Sequence, residues 1–71
     1  MKQVWVFYKG YNEENDVKIR TIVGNANLET GSGYSIPDDE RDISFIIPDK
    51  EVDKIVERLT AFNYKVKVYD D

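Results

Sequence analysis

The chain is predicted to fold as an α+β two-layer sandwich: a ββ hairpin followed by a βαβ unit, with a four-stranded mixed sheet and one helix on one face. Three observations predict it. Residues 43–69 read ISFII, PDKEVDKIVERLTAFN and YKVKVY, the layout of strand, helix and strand. Residues 3–9, QVWVFYK, are apolar on both sides of a two-residue alternation, which suits a central strand. Residues 17–23, VKIRTIV, alternate again after the turn-rich GYNEEND, so an antiparallel hairpin is the economical reading.

Taken in order, the first strand sets Val4, Val6 and Tyr8 on one side and Trp5, Phe7 and Lys9 on the other. In the segment from Gly10 to Asp16, the carboxylates Glu13, Glu14 and Asp16 read as a solvated hairpin tip, because their spacing lacks the alternating ligands of a calcium loop. The second strand sets Val17, Ile19, Thr21 and Val23 against Lys18, Arg20 and Ile22. Residues 24–41, GNANLETGSGYSIPDDER, keep no sustained period and read as a partly ordered excursion, with a small hairpin turning through Gly31-Ser32-Gly33. Gly31 and Gly33 lack the lysine and hydroxyl of a phosphate-binding loop. Asp38, Asp39, Glu40 and Asp42, with Arg41 among them, read as a charged lead-in to the next strand.

The helix follows from Val52, Ile55, Val56, Leu59 and Phe62, which recur every three or four residues and form one apolar stripe. Pro48 stops the preceding strand, Asp49 is placed to cap the helix start, and Asn63 suits a left-handed residue just past its end. A strand joined by a helix to a following strand runs parallel to it by a right-handed crossover. The βαβ end with a preceding hairpin resembles part of the ferredoxin-like plan used by small ligand-sensing ACT domains. That likeness spans about the last third of the chain, from Ile43 on; the plan's first crossover helix has no counterpart between Tyr8 and Val17, where a turn fits. It implies architecture alone and carries over no ligand and no site residue.

At 71 residues without a repeat, the chain makes one domain, 1–71. A domain of this size buries only about 60% of its unfolded surface. Cysteine and histidine are both absent, which removes disulfides, thiolate nucleophiles, imidazole bases and the common zinc sites. No signal-peptide layout and no run of apolar residues long enough for a membrane helix occurs, so a cytoplasmic protein without membrane contact is expected. The net charge of −4 disfavours non-specific attraction to DNA while leaving room for a local basic patch.

Function is approached by counting faces. One helix covers one side of a sheet. If Val4, Val6, Ile19, Val23, Ile43, Phe45, Ile47, Val66 and Val68 point at it, the pleat sends Trp5, Phe7, Lys9, Lys18, Arg20, Ile22, Ser44, Ile46, Lys65, Lys67 and Tyr69 the other way, a set without acidic groups. The long loop could fold back over this face with Leu28, Tyr34 and Ile36, or the face could dock a partner. The expectation is a small non-catalytic interaction module binding a protein partner or a copy of itself through this face and the 24–41 loop. Its partner-binding residues are Trp5, Phe7, Arg20, Ile22, Lys65, Lys67 and Tyr69, with Tyr34 from the loop. One alternative is single-stranded nucleic acid stacked on the aromatics with phosphates on the cations, although no RNA-binding signature is present. Another is an acidic inhibitor presenting Glu13, Glu14, Asp16, Asp38, Asp39 and Glu40 as a phosphate-like track. No catalytic residue, metal site or cofactor is expected, since no Asp, Glu, Lys, Ser or Tyr occurs in a spacing that implies a pair acting together.

Overall fold

The computed structural model describes residues 1–24 and 27–70. Its elements are β1 (Lys2–Lys9), α1 (Glu13–Val23), β2 (Leu28–Ser35), β3 (Glu40–Ile47), α2 (Asp49–Ala61) and β4 (Lys65–Asp70). The strands form one sheet in the order β2-β3-β1-β4, and each neighbouring pair is antiparallel. Ile19 and Val23 of α1 and Val52, Ile55 and Leu59 of α2 share one core with Val4, Val6, Ile43, Phe45 and Ile47, so both helices lie on the same face. The α+β two-layer sandwich with a four-stranded sheet is therefore observed. Its inner plan differs from the expected one in three respects: the sheet is antiparallel rather than mixed, there are two helices rather than one, and the opening unit is βα rather than a ββ hairpin. The βαββαβ order follows the ferredoxin-like plan, with α1 as its first crossover helix in place of the expected turn.

The first correction has a simple cause. Strands β3 and β4 do run in the same direction on either side of α2, but β1 inserts between them and is antiparallel to both. That is the central position its two apolar sides require.

The second correction concerns residues 13–23. Ile19 and Val23 are buried as expected, but as neighbours one turn apart on a helix, with Asp16 on the same stripe. Asn12 caps this helix: its side-chain oxygen accepts from the N–H groups of Glu14 at 2.8 Å and Asn15 at 3.3 Å. Glu13, Glu14 and Asp16 occupy the first turn, where the positive helix end favours carboxylates, instead of a hairpin tip. Asn12→Ala should cost about 1 kcal/mol of stability, read as a shift of the urea midpoint at unchanged slope.

Residues 28–35 form a full edge strand, with an irregularity between Glu29 and Gly31. Gly31-Ser32-Gly33 lies inside β2, and the chain turns instead at residues 36–39, where Asp39 has φ +50° and its N–H donates to the Ile36 carbonyl. Positions 25 and 26 of the expected excursion lie outside the described residues.

At α2, Pro48 holds the cap position and Asp49 opens the helix; its carboxylate pairs with the N-terminal ammonium at 2.9 Å rather than capping. The far end is as expected. Asn63 has φ +67°, and the Tyr64 and Asn63 N–H groups donate back to the carbonyls of Leu59 and Thr60. This closure buries Tyr64 beside Leu59. Phe62, placed on the apolar stripe by spacing, is instead exposed, with the Lys18 ammonium over its ring at 4.9 Å.

Candidate partner-binding face

With both helices on one side, no described element covers the other side of the sheet. Strand register arranges its side chains in rows, because residues directly opposite one another share a face. Phe7 lies between Asp42 on β3 and Lys65 on β4; Trp5 lies between Ser44 and Lys67; Gln3 lies between Ile46 and Tyr69. Beyond β3, the rows end on Gly33, Gly31 and Leu28 of β2, and Lys9 stands opposite Glu40. The Trp5 and Phe7 rings stack along β1 with centroids 6.3 Å apart and planes 15° from parallel. The ammonium groups of Lys65 and Lys67 sit 5.6 and 5.7 Å from the Phe7 ring centre, within reach of its negative face. Gln3, Trp5, Phe7 and Tyr69 line a shallow, open depression of about 390 Å³.

Of the residues expected to bind a partner, Trp5, Phe7, Lys65, Lys67 and Tyr69 come together here. Three do not. Arg20 and Ile22 belong to α1, on the far side of the sheet; Arg20 forks onto Glu29 at 2.8 and 3.3 Å, and Ile22 packs against the core. Lys18, placed in the same set, is likewise on α1. Tyr34 is on β2 but turns to the helix side, where its ring meets Tyr11 edge-on at 5.7 Å and its hydroxyl donates to Asp39. The 24–41 segment does not fold back over Trp5 and Phe7: Leu28 is 68% exposed and Ile36, at the turn, 80% exposed. The face also carries acids, Asp42 and Glu40, because β3 begins at Glu40 and not at Ile43.

Sequence reasoning also missed a buried ion pair. Arg41 on β3 reaches through the helix side of the sheet to Asp16 on α1, with Nη2 2.8 Å from Oδ2 and Nε 3.2 Å from Oδ1, and its Nη1 donates to the Gly33 carbonyl at 3.2 Å. The Tyr8 hydroxyl donates to the same Oδ1 that Arg41 Nε reaches, and the guanidinium lies 4.5 Å over the Tyr11 ring centre. Burial pushes the Asp16 carboxyl up, but the hydrogen bonds from Arg41 and Tyr8 and the charges of Arg41 and Arg20 outweigh it and hold the group below the ordinary carboxylate range. Asp16 therefore turns inward, away from any acidic surface track. No buried side-chain donor in the cluster lacks a partner, and the cluster anchors α1 to the sheet.

Among the described residues no group of His, Cys, Asp or Glu is placed to hold a metal ion, and no helix is long and apolar enough to cross a membrane. Neither a family model nor any curated protein or solved structure matches this chain.

Proposed function

We propose that this protein is a cytoplasmic, non-catalytic interaction module that binds a protein partner through the open face of its sheet. The observation that supports it is the pair of stacked, half-buried aromatics on β1, which no described element covers, flanked by cations on β4 and acids on β3. Contiguous aromatic surface with charged margins matches the apolar centre and polar rim of protein interfaces. Leu28, in the row of Ile46 and Tyr69, extends the surface onto β2, so the 24–41 segment contributes to it.

Single-stranded nucleic acid is the second reading, favoured by Lys65 and Lys67 beside the Phe7 ring. Asp42 and Glu40 count against it, since they would face the phosphates from the next strand but one. Trp5→Lys tests the leading reading. Trp5 lies outside the core, so the variant should keep the wild-type circular dichroism and lose less than about 1 kcal/mol of stability. Affinity capture from the source cells should lose its specific partner with this variant. A folded Trp5→Lys protein that retains every partner overturns the proposal, as does salt-sensitive quenching of Trp5 fluorescence by short single strands.

A further inference from the structure

The rows of the open face read as complements of themselves about β1. In the first, Asp42 and Lys65 flank Phe7; in the second, Ser44 and Lys67 flank Trp5; in the third, Ile46 and Tyr69 flank Gln3. In the first and third rows the β3 and β4 sides present groups that would pair with each other, an acid for a base and an apolar chain for an aromatic one, while Ser44 in the second is buried with its hydroxyl bound to Thr30 and Gly31.

Resting on the reading that this face binds a protein, we infer that its partner is a second copy of this chain. The two sheets pack face to face about a two-fold axis that runs along β1. Rotation about such an axis keeps each row in register and exchanges its two ends. Lys65 then faces Asp42 of the second copy, Tyr69 faces Ile46, and Trp5 and Phe7 meet their own counterparts. Each contact is made twice, as in any two-fold interface. Aligned packing of two sheets about 10 Å apart accommodates interdigitated aromatic side chains of this size.

The other two-fold arrangement, with its axis across the strands, lays β4 on β4 and brings Lys65 against Lys67 of the second copy. Like charges thus select the axis along β1. Glycine at positions 31 and 33 keeps β2 low beside Ser44 and Asp42, where the Thr30 hydroxyl rests on Ser44. Three strands by three rows cover roughly 300 Å² on each copy, about 600 Å² over both, less than a standard specific interface, so the dimer is a weak, concentration-dependent one.

The test is sedimentation equilibrium over a wide concentration range on wild type, Asp42→Lys, Lys65→Asp, the double variant, and an equimolar mixture of the two single variants. Wild type should dimerise. Each single variant places like charges together twice and should dimerise about tenfold or more weakly. The double variant and the mixture both restore opposite charges at each contact and should recover dimerisation, which also shows that the single variants are folded. A wild type that stays monomeric at every concentration overturns the inference, and so does a dimer indifferent to the swaps. In either case, Trp5-dependent capture of a different protein leaves the interaction-module reading standing, whereas loss of that capture removes both.

Discussion

Arg41→Ala should strip this domain of roughly half its stability at neutral pH. Asp16 and Arg41 are each about 95% buried and bound to one another through two hydrogen-bonded edges. Removing the cation strands a carboxylate inside the protein, which costs about 3–5 kcal/mol. A chain of this length has only about 4–11 kcal/mol of total stability to set against that loss. The Gly33 carbonyl would also lose its donor, loosening β2. Replacing both partners by apolar groups, Asp16→Leu with Arg41→Met, should recover most of the loss, because no charge is then left without a counterion. Circular dichroism and urea melts of the single and double variants measure this directly.

The same pair fixes the acid limb of stability. Asp16 titrates lower in the folded protein than in the unfolded chain, so the folded state binds fewer protons. Its contribution is fully present above the unfolded carboxylate value of about 3.9 and is lost as pH falls through the depressed folded value. Urea midpoints taken from about pH 7 down to about pH 2 should fall steeply in wild type and less so in Asp16→Asn, which has no carboxylate there to protonate.

Ile19→Ala and Val17→Ala provide the second large contrast. Ile19 is fully buried, while Val17 is 55% exposed. On a strand these two residues, two apart, would share a face and cost alike; on a helix they point to nearly opposite sides. Ile19→Ala should cost about 2–5 kcal/mol, whereas Val17→Ala should shift stability by no more than about 0.5 kcal/mol. Equal losses would restore the strand reading and remove α1 from the fold.

That contrast marks where the sequence was ambiguous. VKIRTIV satisfies a period of two through Val17, Ile19, Thr21 and Val23, yet Ile19 and Val23 alone also satisfy a helical turn, and seven residues do not separate the two. The missed signal lay upstream: Asn12 followed by acids in the next turn is a helix start, and reading it would have moved Arg20 and Ile22 off the open face. β2 was illegible for a different reason. As an edge strand with nearly every residue exposed it shows no apolar alternation, so its glycines read as a turn. The Asp16–Arg41 pair joins residues 25 apart through tertiary packing, which no local pattern announces. By contrast, the two-sided apolar character of β1, the stripe on α2 and the alternation of β4 carried their own evidence. Those elements place Trp5, Phe7, Lys65, Lys67 and Tyr69 together as expected.

The place of β1 between β3 and β4 has a kinetic consequence. Its pairing with β4 joins Lys2 to Asp70, and its other edge joins Lys2 to Ile47, so neither edge can be satisfied by a neighbour in sequence. Only the β2–β3 hairpin and the helices form locally. Distant closures of this sort are slow to reach because chain entropy is spent before the contacts form, and folding on a timescale nearer milliseconds than microseconds follows. Until β4 docks, one edge of the most apolar strand stays unsatisfied, and crowded unfolded chains would find one another there first.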